Sequence, residues 1–146
     1  MLKKTARSAD GIAGCSIEQH GCSVIEATLS GVLTLRSYSE MRLHIRSATD
    51  DASVKIIRLD TAVVCFAGEE LSCMRPAPGV RRRSGAMDPI AVLIVQPSQL
   101  VGFNVYAERM LSLGFPIVVF SVADLAVARL FAAVHGTRAR HQEWPC

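Results

Sequence analysis

The chain has 146 residues and a net charge of +3; half of it is apolar, 20% is charged and 5% is aromatic. That is too apolar for a disordered chain, and the length suits one domain that buries roughly two-thirds of its unfolded surface. Much of the positive excess sits in Arg81-Arg82-Arg83 and in Arg138 and Arg140. It forms no basic stripe interleaved with aromatics, so no nucleic-acid partner is expected. The longest apolar runs have strand length, which predicts no membrane span. Met1-Leu2-Lys3-Lys4 leads into Ser8, Asp10 and Gly11 rather than an apolar segment, so no export signal is read. The cysteines are Cys15, Cys22, Cys65, Cys73 and Cys146, without a CxxC pair. Cys22 and Cys65 lie in or beside apolar runs and read as reduced, buried thiols. A cytoplasmic location is the expectation.

Residues 1–10 are polar and expected to fray, residues 11–136 to form one domain, and 137–146 to form a flexible tail. Ile12 to Gln19 and Cys22 to Leu29 flank His20-Gly21 and predict a β-hairpin. In the second run Val24, Glu26 and Thr28 alternate with Ile25, Ala27 and Leu29, the period of a half-buried strand. Ser37-Tyr38-Ser39-Glu40 has the form of a capping box. It opens a helix with Tyr38, Met41, Ile45 and Ala48 on one face, ended by Thr49-Asp50-Asp51. Val54 to Leu59 reads as a strand ended by Asp60-Thr61. Val63 to Phe66 reads as a second short apolar piece, and Ala67 to Met74 as a short helix. Arg75 to Asp88, rich in Pro, Gly and Arg, reads as a surface loop.

Ile90 to Val95 is unbroken apolar sequence, as in a strand covered on both faces of a parallel sheet. Pro97-Ser98 opens a helix with Leu100, Phe103, Ala107, Met110 and Leu111 as its apolar stripe and Gly114 as its left-handed terminator. Ile117 to Phe120 is a second fully apolar strand. Ser121 to Asp124 caps a last helix whose Leu125, Ala128, Leu130, Phe131 and Val134 are expected to face inward and which Gly136 ends. Strands alternating with helices predict an α/β fold. Its sheet is mixed, mostly parallel and of about five strands, with helices packed on it and an opening hairpin.

This order resembles the STAS domain, the SpoIIAA-like fold of anti-anti-sigma factors, over residues 15–135. The resemblance rests on four segments: the hairpin leading into Ser30-Gly31-Val32-Leu33-Thr34, the strand Val54 to Asp60, the apolar Val63 to Phe66, and Ser121 to Ala128. It implies a regulatory, non-catalytic module that binds a protein partner through the second helix and the turn before it. Asp60, Thr61, Gly68, Glu69 and Ser72 are the implied binding residues. Where that family carries a phosphorylated Ser or Thr, this chain has Ala67-Gly68-Glu69-Glu70, with neither the hydroxyl nor the preceding Asp. No phosphorylation switch is expected there.

No residue set points to catalysis or to a cofactor, and none has metal-ligand spacing. His20, Cys15 and Cys22 cluster near the hairpin, but they read as a surface histidine and two ordinary thiols. Cys65 reads as an inert core thiol. His44 is placed on the solvated side of the first helix and His135 at a helix C-terminus. Arg81-Arg82-Arg83-Ser84 reads as a solvated loop. There is no glycine-rich phosphate loop. Asp60 and Thr61 end a strand, where open α/β sheets place their sites. The alternative function is a small-molecule-binding protein or thiol-dependent enzyme using those strand ends. A homodimer joined by a sheet edge or helix face is the other expected partnership.

Overall fold

The unbroken apolar run at residues 90–95 sets the architecture, because a strand without polar alternation must be covered on both sides. In the computed structural model it is β6 (Ala91–Val95), and Val92 to Val95 are buried. The structure describes residues 3–20, 23–48, 54–72 and 91–142, with the backbone alone for residue 3 and for 137–142. Several sequence expectations lie outside the described residues. They are the hairpin tip Gly21-Cys22, the helix end Thr49-Asp50-Asp51, Cys73, the loop from Arg75 to Asp88 with Arg81-Arg82-Arg83-Ser84, and Cys146.

The elements in order are β1 (Lys3–Arg7), β2 (Ala13–His20), β3 (Val24–Leu33), α1 (Leu35–Ala48), β4 (Val54–Arg58), β5 (Val63–Val64) and α2 (Gly68–Leu71). After β6 come a 3-10 turn (Pro97–Gln99), α3 (Leu100–Ser112), β7 (Ile117–Ser121), a second 3-10 turn (Val122–Asp124) and α4 (Leu125–Gln142). The sheet runs β1-β2-β3-β4-β6-β7, with β5 beside the end of β3. β1, β2 and β3 are antiparallel to one another in turn, and β3, β4, β6 and β7 are parallel. The α/β fold and its mixed sheet, parallel in the later half, are as expected. The strand count is larger because β1 and β5 join. Residues 3–7, expected to fray, pair with β2 from Lys3 opposite Glu18 to Arg7 opposite Gly14.

Two cores lie on opposite faces of the sheet. One packs Cys15, Ile17, Ala27, Leu29, Ile57, Leu93 and Val95 against Tyr38, Met41 and Ile45 of α1 and Phe103, Tyr106 and Met110 of α3. The other packs Val24, Val54, Ile56, Val92 and Ile94 against Ala128 and Ala132 of α4. With few aromatics available, three rings do much of the work in the first core. Phe66 lies 5.5 Å from Tyr38 and 6.1 Å from Phe103. No helix of the described residues is long and apolar enough to cross a membrane.

Several boundaries differ from the sequence reading for identifiable reasons. α1 starts two residues before Ser37. Thr34 and Ser37 exchange bonds, with the Ser37 amide donating to Thr34 Oγ1 at 3.1 Å and the Thr34 amide to Ser37 Oγ at 2.8 Å. Glu40, expected to close the cap, instead accepts the Ala9 amide at 2.8 Å. α2 begins one residue later than expected, at Gly68. α3 ends as read. Gly114 has φ +90°, its amide bonds Leu111 O, and the Phe115 amide reaches back to Met110 O, a Schellman closure. Leu111 is not on the buried stripe, being 55% exposed; Gly102 and Tyr106 take that face. α4 does not stop at Gly136 but continues to Gln142. Gly136 is buried, and a Cβ there would come within 2.7 Å of Ser23 Oγ, so its smallness serves packing on the β2–β3 connection.

Candidate functional site

The four parallel strands point their C-terminal ends to one edge of the sheet, the usual position of a site in an open α/β fold. Asp60 and Thr61 lie there, and both have their polar groups tied inward. The Asp60 carboxylate accepts two bonds from Arg58, from Nε at 3.2 Å and Nη2 at 2.8 Å. Its main-chain oxygen accepts Gln96 Nε2 at 3.0 Å. The Thr61 hydroxyl donates to Leu29 O at 2.6 Å. The Leu59 and Asp60 amides share Ile94 O. These bonds tie the turn after β4 to β3 and to the segment after β6. The turn is thereby a scaffold with its side-chain chemistry already used.

Gly68, Glu69 and Ser72 belong to a separate neighbourhood, where α2 meets α3. Gly68 is buried, and a Cβ on it would stand 2.3 Å from both Gly102 C and Phe103 N. A Cβ on Gly102 would meet Glu69 Oε1 at 2.8 Å. Two glycines face each other so that a one-turn helix can sit directly on the α3 backbone. Ser72 Oγ is buried without a hydrogen-bond partner. The outer surface of this unit is Val63 (62% exposed), Cys65, Ala67, Glu69 and Glu70. Glu70 turns part of its carboxylate back to accept the Ala67 amide at 2.9 Å. So the five expected binding residues divide into two sets with separate contacts, and only the second set offers an exposed charge.

Cys65, expected as a core thiol, is exposed. It follows β5, a two-residue strand at the sheet margin that nothing among the described residues covers on its outer side. The buried thiol is Cys15, which burial pushes up to about 11. His44 is on the exposed side of α1, as read. His135 is not at a helix end, because α4 runs on; its ring lies 4.3 Å from that of Phe131. Among the described residues no cluster of His, Cys, Asp or Glu could hold a metal ion.

Sequence reasoning missed a cluster of paired charges among the described residues. Glu26 belongs to the period-2 alternation of β3, which by itself leaves its face open, yet it is only 5% exposed. Arg129 of α4 grips it with Nε at 2.9 Å from Oε1 and Nη2 at 2.8 Å from Oε2. Arg58 approaches Oε2 at 3.9 Å and His20 approaches Oε1 at 3.7 Å. The bond from Arg129 holds the Glu26 carboxyl below the usual carboxylate range, against the opposing effect of its burial. The Arg58–Asp60 pair adjoins it, so two acids and two guanidiniums neutralise one another between β3, β4 and α4. Across the hairpin Glu26 faces Glu18, an unfavourable like-charge pair that hints at a cation elsewhere, but only the path of α4 says that Glu26 is covered.

Comparison of the chain with protein-family models, with curated proteins and with solved structures finds no match.

Two outcomes follow from these contacts. Gly68→Ala lowers stability by about 1–3 kcal/mol, since the new methyl meets main-chain atoms that cannot turn aside; urea denaturation measures it. The carboxyl of Glu26 is depressed in the folded state, so its contribution is complete above the ordinary carboxyl value near ~4.3 and is lost as pH falls through the lower folded value. Glu26→Gln therefore costs about 1–3 kcal/mol at neutral pH, where Arg129 is left to water. The variant also loses part of the acid-limb slope of the wild-type stability curve, which denaturation at a series of pH values reads directly.

Proposed function

We propose that this chain is a non-catalytic, STAS-like regulatory module that binds a protein partner through α2 and the segment leading into it. The observation that carries the reading is the Gly68–Gly102 contact. A four-residue helix has no stability of its own, yet here it is held directly against α3, with Val63 and Ala67 before it exposed and the exposed Glu69 laying its carboxylate along Gly102. A short element that is fixed at its base and exposed at its tip suits recognition, because little ordering is required when a partner arrives. Glu69 gives that tip a permanent negative charge where the resembling family carries a switchable hydroxyl. The matching partner surface presents a basic group beside a small apolar pocket. Asp60 and Thr61 act as supports for this surface rather than as contacts.

The alternative, a thiol-dependent enzyme, has one observation in its favour, the exposed Cys65. Among the described residues its one hydrogen-bonding neighbour is Val63 O at 3.8 Å, and no base bonds it. A nucleophilic thiol needs such a base.

Photo-cross-linking separates the two. A benzophenone side chain at position 63 or 69 captures a specific protein, the same probe at the exposed Ser112 does not, and Glu69→Lys abolishes the capture. Absence of any product from 63 and 69, together with one cysteine alkylated far faster than a free thiol at neutral pH, overturns the module reading.

A further inference from the structure

Glu69 differs from the acids whose contacts were described above. Glu26 and Asp60 spend their carboxylates on arginines, and Glu40 accepts the Ala9 amide. Glu70 turns one oxygen to the Ala67 amide. Glu69 is exposed, and among the described residues neither of its oxygens enters a hydrogen bond or an ion pair.

The Glu69 carboxylate is nevertheless held in place. A Cβ built on Gly102 would lie 2.8 Å from Glu69 Oε1, 3.0 Å from Cδ and 3.1 Å from Oε2. Three nearly equal distances mean that Gly102 meets the flat side of the carboxylate rather than its edge. The in-plane lone pairs of both oxygens therefore stay clear of the α3 backbone. Gly102 is the third residue of α3, where the partial positive charge of the helix start favours an anion. The two glycines of this contact thus divide the work. A side chain on Gly68 would strike main chain, so Gly68 seats α2. The three atoms nearest a side chain on Gly102 all belong to the Glu69 carboxyl group, so Gly102 seats that group.

We infer that Glu69 receives an arginine of the protein partner through two parallel hydrogen bonds, and that Gly102 is the positioning residue that aims it. The inference rests on the reading of α2 as the recognition element and names the group it recognises. A guanidinium is planar, and its fork of N–H groups matches the two oxygens of a carboxylate. Such a pair requires both acceptors in one plane with an open edge, which is what stacking on Gly102 leaves. A lysine ammonium is a point donor and gains nothing from that orientation. An acceptor fixed before the partner arrives also lowers the ordering cost of binding.

The test uses the full chain and the protein captured by the benzophenone probe at position 63, identified by mass spectrometry and purified. Isothermal titration calorimetry reads its affinity. Glu69→Gln weakens binding at least about tenfold. Glu69→Asp keeps the charge but is too short to lie on Gly102, and it weakens binding by about fivefold or more. Gly102→Ala does the same without lowering the urea midpoint, because its methyl meets only the end of a flexible side chain and alanine is the better helix former. Added to Glu69→Gln, Gly102→Ala has no further effect, since it acts through that carboxylate. In the partner, one arginine of the cross-linked segment cannot be replaced by lysine without a loss of about tenfold. Gly102→Ala binding like wild type, full additivity of the two substitutions, or a lysine as effective as the arginine overturns the inference and leaves α2 as the recognition element. If nothing is captured at 63 or 69, the reading of α2 falls and the inference with it. If Gly102→Ala fails to fold, Glu69→Asp and the arginine-to-lysine exchange decide.

Discussion

A carboxylate taken out of water must find a cation, because leaving it unpaired costs many kcal/mol. Glu26, in the middle of β3, faces that constraint, and Arg129 on α4 meets it with two hydrogen bonds. The pair settles more than its own energy. It fixes the rotation of α4 about its axis, with Arg129 toward β3, Ala128 and Ala132 on the sheet, and Phe131 over Phe120. Once that rotation is set, Val127, Leu130 and Val134 must point away from the core. A buried ion pair adds little net stability compared with a well-packed apolar alternative; its effect here is to select one orientation of a helix whose small inward residues, Ala128 and Ala132, would specify that orientation weakly.

The opposite face of the sheet is organised by apolar packing and small residues. α1 and α3 bury large side chains, and Phe66 bridges Tyr38 and Phe103 between them. α2 has no room for side chains at its base, so glycines at 68 and 102 let backbone meet backbone. Polar groups nearby are used structurally. Arg42 lies 5.3 Å from the centre of the Tyr38 ring and donates to Tyr106 Oη at 3.2 Å. Burial raises the Tyr38 and Tyr106 hydroxyls above the ordinary phenol range. The exposed apolar residues on the two sides, Val63 beside α2 and Val127, Leu130 and Val134 on α4, are separate products of these two packings.

Local chemistry made many elements legible. The hairpin, β4, β6 and the Schellman end of α3 follow from period-2 alternation, an unbroken apolar run and a glycine at a left-handed position. So did the general placement of strand ends at Asp60. The candidate site was less legible. Residues 68 and 69 lie in α2 and 72 caps it, but they differ in environment, because the contact that distinguishes them is with Gly102, over thirty positions along the chain. Glu26 has Glu18 opposite it in the hairpin and His20 nearby, but the bonds that anchor it come from Arg129, 103 positions away in sequence. Leu130 and Val134 fit an inward helical stripe as well as an outward one.

The sequence by itself determined the mixed α/β class and most elements in their order, though not β1, because hydrophobic period, turn glycines and caps act within a few residues. Only the tertiary structure decided which acid is buried, which glycine is a contact point and, among the described residues, which apolar side chains of α4 are exposed. Those outcomes depend on which distant segment arrives at each face, and local periodicity carries no information about that.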